Sequence, residues 1–277
     1  MSLYIVYSIF IITPIIYIDI NILGVIMKST LPLLLSFFAG LSTILGAFIV
    51  FFTRNNNKKL ITFALSFSAG VMLSISFSDL IPSAENTLTT CTGKLQGIII
   101  TLIFLIIGII MAMLIDNFLP TDNIKSNDNS LYRVGLISCI ALFLHNFPEG
   151  ITTFVSGYQD LTVGISVTIA IALHNIPEGI SIAMPIYYST NSRKKAFKYT
   201  FLSGMTEPLG ALLAFLFIKP YINNLILAIL FSLVAGIMIY ISLAELIPEA
   251  KSYKYNRIYI GSLTLGICII PFTHIFL

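Results

Sequence analysis

The sequence predicts an all-α membrane protein with eight transmembrane helices in a 3+2+3 inverted-repeat arrangement. Three observations carry that prediction. Of 277 residues, 57% are hydrophobic and only 10% charged, and the mean hydropathy of +0.97 is far above that of a soluble domain. Apolar runs close to the ~20 residues that a helix needs to cross the hydrocarbon core occur eight times. Finally, one segment recurs in a span that runs the opposite way.

The runs lie at about 31–53, 60–82, 96–118, 133–155, 161–185, 198–218, 221–247 and 258–276. Connections between them are too short to hold a soluble domain. Ahead of the first run, residues 1–26 form an apolar N-terminal extension, Leu3 to Ile18 broken by Pro14, with no Lys or Arg. It lacks the basic start of a signal peptide and the basic flank of a ninth spanning helix. Met27-Lys28-Ser29-Thr30 reads as an alternative start. The functional unit is therefore expected to be residues 27–277.

Charge placement orients the bundle. Twelve of the fifteen Lys and Arg lie in the odd-to-even connections: Arg54, Lys58 and Lys59; Lys125 and Arg133; Arg193, Lys194, Lys195 and Lys198; Lys251, Lys254 and Arg257. Lys28, Lys94 and Lys219 lie on the other side. Basic loops stay in the cytoplasm, so both ends of the eight-helix bundle are expected outside. The formal charge of +3 carries no nucleic-acid signal. Cys91, Cys139 and Cys268 form no CxxC and read as packing residues.

The repeat pairs residues 68–84, SAGVMLSISFSDLIPSA, with 234–250, VAGIMIYISLAELIPEA, identical at nine of seventeen positions. An acid occupies one matched position, Asp79 in helix 2 and Glu245 in helix 7. Five helices separate the copies, so they cross the membrane in opposite senses. Helices 1–3 are thus related to 6–8, with 4 and 5 paired between them. Inverted repeats with a midplane site are typical of transporters.

The chemistry sits in helices 4 and 5. His145-Asn146-Phe147-Pro148-Glu149-Gly150 recurs as His174-Asn175-Ile176-Pro177-Glu178-Gly179. Ionisable groups in hydrocarbon are costly and point to function. Four-residue spacing stacks His145 over Glu149 and His174 over Glu178 on one helix face. Pro148 and Pro177 free the carbonyls of Leu144 and Leu173 and should kink each helix there. Gly150 and Gly179 admit another backbone. Helix 6 adds Glu207, beside Pro208 at a similar depth. A lone membrane His is more often a packing residue; a His-Glu pair duplicated with its proline in register is not. Such N/O ligands suit Zn, Fe, Mn or Co, and they outnumber what one tetrahedral ion needs, so two adjacent ions are expected. Asp79 and Glu245 read as helix-end acids, and His274 as no ligand.

These two motifs, the Glu207 segment and the order of eight helices resemble the ZIP (Zrt/Irt-like protein) family of metal transporters, most of all its bacterial ZupT-like branch, over roughly residues 27–277. The resemblance implies uptake of divalent metal through a binuclear site in helices 4, 5 and 6. His145, Glu149, His174 and Glu178 would hold one ion. Asn146, Asn175, Glu178 and Glu207, with Glu149 as a bridge, would hold the other. Asp79 would sit at the outer mouth and Glu245 at the inner one, drawing cations to either end of the path. The loop at 119–132 has no His, unlike the His-rich loop of many relatives. The expected partners are divalent metal ions, as cargo with no prosthetic group, and the lipid bilayer of the cell membrane; no nucleic acid is expected. The small residues Gly40, Gly46 and Gly70 permit a homodimer. Alternating access is expected, the halves rocking about helices 4 and 5, or a leaky channel-like variant. An intramembrane metalloenzyme is the alternative, but its usual His-Glu-x-x-His is absent. Deleting residues 2–26 is predicted to preserve membrane insertion and metal uptake; loss of the truncated protein from the membrane fraction would make the segment a true topogenic element.

Overall fold

The computed structural model describes residues 28–53, 57–118, 129–218 and 223–273. The 1–26 extension, Arg54, Asp122, Lys125, Asp128, Lys219 and His274 lie outside the described residues. Each apolar run is a helix, and among the described residues there is no strand. The helices are α1 (Lys28–Phe52), α2 (Lys58–Thr92), α3 (Lys94–Phe118), α5 (Leu161–Thr190) and α7 (Asn224–Ser252), with α4 at Asn129–Gln159 and α8 at Asn256–Thr273. The sixth, α6, is interrupted at Met205 into Arg193–Gly204 and Thr206–Leu213, and ends in a π-helical turn, Ala214–Ile218. Several helices outrun their apolar cores, α2 by ten residues beyond 82, because hydropathy detects only the part that lies in hydrocarbon.

The chain turns sharply between helices, and side-chain caps make this possible. A helix start leaves backbone N–H groups without partners, and Asn, Asp or Ser just before it can accept from them. Asn57 accepts from the Leu60 amide, Asp160 from the Thr162 and Val163 amides, Ser192 from Lys195 and Asn223 from Ile226. Asp160 alone joins α4 to α5, which forces them to be antiparallel neighbours.

Six helices, α1 to α5 and α7, are long and apolar enough to cross a membrane. Their outward faces are apolar too: Leu102, Ile103, Ile106, Ile110 and Leu114 of α3 are exposed, as suits contact with lipid tails. The chain is an all-α, multi-pass membrane protein.

Packing sorts the helices into two groups that chain order does not suggest. One is α1, α4, α5 and α6; the other is α2, α3, α7 and α8, and they meet along α2–α5 and α4–α7. Helices 4 and 5 pack with α1 and α6 and also supply that group's contacts with the other. Backbone-to-backbone glycine contacts explain the choice of neighbours. A Cβ on Gly70 would strike the Leu263 carbonyl of α8, and one on Gly236 the Leu105 carbonyl of α3. Gly40 meets the Gly204 carbonyl, and Gly46 meets the Ile176 carbonyl. The close contacts that Gly40, Gly46 and Gly70 permit are therefore made within the chain.

The repeat segments share a local distortion. Pro82 and Pro248 cannot donate to the carbonyls four residues back, and their rings crowd them. Both helices widen into π turns just before, at Ser76–Leu80 and Ile241–Leu246, a device frequent at functional sites. Ser76 and Ser242 each donate back to a Met carbonyl, Met72 and Met238, at 2.8 Å. The π turns carry Asp79 and Glu245.

Gly236→Ala is expected to cost about 1–3 kcal/mol by forcing α7 from α3, despite the better helix propensity of Ala. Gly261→Ala, with nothing within 4 Å of the added carbon, should be neutral or stabilising by up to ~1 kcal/mol. Thermal denaturation of the two detergent-solubilised variants checks the contrast; equal melting points would refute the packing role.

Candidate metal centre

The hinge at Asp160 sets the register of the two motifs. His145 lies fifteen residues before it and Asn175 fifteen after, so in antiparallel helices the two histidines come level. Glu149 is then about 4.5 Å from the level of His174 along the axis, and Glu178 the same from His145, at 1.5 Å per residue. The side chains pair across the helices accordingly. His174 Nε2 lies 2.9 Å from Glu149 Oε1, and His145 Nε2 lies 3.3 Å from Glu178 Oε1. His145 also reaches Glu149 of its own helix at 3.1 Å. The second pairing expected within a helix, His174 with Glu178, gives way to the bond from His174 to Glu149. Donor atoms of His145, His174 and Glu178 lie within 4.8 Å of one another, a spread that one metal ion can bridge.

Asn146 and Asn175 are oriented from outside the cluster. Asn146 Nδ2 donates to the Ser203 carbonyl of α6 at 3.1 Å. Asn175 Nδ2 donates to the Ala39 carbonyl of α1 at 3.1 Å and to Glu207 Oε2 at 2.8 Å. A backbone carbonyl only accepts, so each amide must present its NH2 group there. That leaves both Oδ1 atoms free, and both are buried without a hydrogen-bond partner. Glu207 enters through the same contact and sits beside Asn175. Gly150 packs against the Glu207 carbonyl and Gly179 against the Thr43 carbonyl, so the glycines of the two motifs admit α6 and α1, as the sequence suggests. Both α4 and α5 continue as helices through Pro148 and Pro177.

The balance of donors and acceptors decides what the site can hold. Asn146 Oδ1, Glu149 Oε2, Asn175 Oδ1, both Glu178 carboxylate oxygens and Glu207 Oε1 are all buried without a hydrogen bond. Leaving a buried acceptor unsatisfied costs about 1–3 kcal/mol each, more when charged. Six oxygens of one kind in one place call for a cation, and the two imidazoles favour a transition metal.

The comparisons agree. The profile of the family described as ZIP zinc transporter matches residues 120–272. A zinc transporter ZupT of Oceanobacillus iheyensis is 47% identical over 80% of this chain and 89% of its own length. Those of Streptococcus mutans and Clostridium perfringens are 42% and 39% identical, each over 85% of this chain and 93% and 92% of their own lengths. The chain belongs to the ZIP family.

Within this ZIP fold the nine expected residues divide in three. His145, Glu149, His174 and Glu178 form one mutually contacting set; Asn146, Asn175 and Glu207 lie beside it; Asp79 and Glu245 stand apart. Asp79 shares a cavity of about 320 Å³ with Ser83, Thr152, Glu149 and His174, so it looks onto the centre. Glu245 lines a separate cavity of about 410 Å³ with Ser130, Arg133 and Glu249, which no residue of the centre lines. Sequence reading missed Asp116, which is 8% exposed and bonded to Arg133. It is the one acid inside the third apolar run, and that isolation was the available signal. Arg133, counted as a connection residue, lies within α4 instead.

Glu149→Gln is expected to lower zinc affinity at least about tenfold, since it weakens the contacts that fix both imidazoles. Equilibrium competition of the purified protein against a zinc chelator measures this; unchanged affinity would remove Glu149 from the centre.

Proposed function

We propose that the chain takes divalent metal ions, zinc first among them, across the cell membrane into the cytoplasm. The observation that carries the reading is the set of buried acceptor oxygens around two imidazoles, inside the membrane-spanning part of the fold. A permanent structural ion would need no route to it, whereas here a cavity leads from Asp79 to Glu149 and His174. The ZupT relatives, named as zinc transporters, support zinc as cargo. Iron, manganese and cobalt suit the same donors. A metalloenzyme would require an open ligand position and a base beside bound water, and nothing in the donor set or the relatives favours one.

In this reading His145, Glu149, His174 and Glu178 hold the first ion. Asn146, Asn175 and Glu207 hold the second, with Glu178 shared and Glu149 as a bridge. Three carboxylates offset most of the charge of two divalent ions, which keeps the loaded site tolerable in a low dielectric. The Lys and Arg distribution supports an orientation with both bundle ends outside, so that Asp79 faces the outer mouth and Glu245 the inner. The inverted repeat is supported by matched contacts. Asn146 with Ser203 mirrors Asn175 with Ala39, Gly150 with Glu207 mirrors Gly179 with Thr43, and Gly70 with α8 mirrors Gly236 with α3.

Purified protein in liposomes should accumulate zinc with no second substrate. Glu178→Ala should reduce uptake to that of protein-free vesicles, because it removes the shared ligand; substantial flux in this variant would overturn the binuclear site. Glu207→Gln should retain zinc uptake and lose manganese uptake more strongly, since the harder ion depends more on carboxylate oxygen. Competitive uptake of the two metals reads the ratio, and an unchanged ratio would refute the division of ligands.

A further inference from the structure

The repeat gives each π turn an equivalent cavity, yet only one of them reaches the metal centre. Asp79 and Ser83 line the cavity that includes Glu149 and His174. At the matched positions, Glu245 and Glu249 line a cavity bounded by Ser130, Arg133 and Val134 instead. Along α4, Val134, Ser138, Ala141 and His145 follow at helical spacing on one face, running from that cavity to the centre. Ser138 and Ala141 are buried, at 0% and 2% exposure, and the Ser138 hydroxyl has no hydrogen-bond partner. A polar group is thus buried on the line between an acidic cavity and the candidate metal site.

The bonds that α4 makes beside this line join the two helix groups, and Tyr240 braces Asp116 from within its own group. Arg133 of α4 donates through Nη2 to the Asp116 carboxylate of α3 and to the Asp116 carbonyl at 3.2 Å. Tyr240 of α7 donates to the other carboxylate oxygen of Asp116 at 2.9 Å, and Ser130 of α4 donates to Glu249 of α7 at 2.8 Å. α3 packs along α7 but scarcely touches α4, so the Arg133–Asp116 pair ties α4 to a helix it otherwise barely meets. Asp116 is almost wholly buried, which strengthens a charge-assisted bond relative to one in water.

We infer that Arg133, Asp116 and Tyr240 form a latch that closes the Glu245 side of the transport path, and that this structure is the conformer open on the Asp79 side. The inference rests on the transport reading for its purpose. Opening the inner route requires α4 to part from α3, and the latch bonds break as it does. Arg133 is a positioning residue here: it touches no ligand of the metal centre and acts on the balance between two conformers.

The test reads conformation without requiring flux. Cys91, Cys139 and Cys268 are replaced by Ala, and the protein is placed in lipid nanodiscs with one reporter at a time, Ser138→Cys on the closed side or Ala170→Cys in the open cavity. Modification by a small maleimide is timed with and without Arg133→Gln. Removing the latch should speed labelling of the Ser138→Cys reporter about tenfold, the shift that losing one charge-assisted hydrogen bond gives a two-state equilibrium. The same change should slow the Ala170→Cys reporter. Exchanging the partners, Arg133→Asp with Asp116→Arg, should restore slow labelling at the first reporter. No change at the Ser138→Cys reporter overturns the latch; faster labelling at both reporters means general loosening and overturns it as well. Reciprocal labelling in a protein that moves no metal would uphold the latch and refute the transport reading, so the two can fail separately.

Discussion

Acceptor oxygens buried without hydrogen-bond partners are the constraint on which this structure turns. Glu149, Glu178, Glu207 and the two amide oxygens would be costly anywhere in a folded protein, and more so inside a membrane-spanning bundle. The surrounding structure satisfies one oxygen of Glu149 and one of Glu207 and leaves the others without a hydrogen bond. It spends its own hydrogen bonds on the opposite ends of Asn146 and Asn175, holding the amide nitrogens on backbone carbonyls of α6 and α1. The cluster is left complementary to positive charge and to nothing else in the chain.

Glycine makes that geometry reachable. Side chains as short as Asn and Glu converge only if their helices lie very close, and the contacts of Gly150 with Glu207 and of Gly179 with Thr43 bring α6 and α1 onto the α4–α5 pair. The same device joins α2 to α8 and α3 to α7. Each glycine gives up side-chain burial and some helix propensity for backbone proximity. In hydrocarbon, where apolar side chains gain little by leaving lipid, close backbone packing is what remains to hold helices together. The two packed groups that result divide the chain at α2–α5 and α4–α7, and the residues of the candidate metal centre all lie in one of them.

Breaks in the symmetry carry as much meaning as the symmetry. Position 83 is Ser and position 249 is Glu; one cavity reaches His174 and the other is bounded by Arg133. Thr43 of α1 occupies, by its contact with Gly179, the place that Glu207 holds against Gly150. Its hydroxyl is buried without a hydrogen bond, so of this matched pair only the α6 side supplies a carboxylate.

By itself the sequence determined the class and the eight helices, and it singled out the His, Asn and Glu side chains that the fold brings together. Hydrophobic length is a one-dimensional quantity, and a His-x-x-x-Glu spacing fixes one helix face whatever surrounds it. The doubled motif and the Asp79–Glu245 repeat were likewise legible as strings. Tertiary structure alone decided which carboxylate meets which imidazole, because that depends on the single-residue hinge at Asp160 and on how far α4 and α5 slide. It also decided that Gly40, Gly46 and Gly70 face inward, that α4 and α5 pack with α1 and α6, and that Arg133 bonds Asp116 across 17 positions of chain. These outcomes rest on contacts between segments far apart in sequence, where each helix presents several faces of similar apolar character. Only the closest backbone approach selects among them.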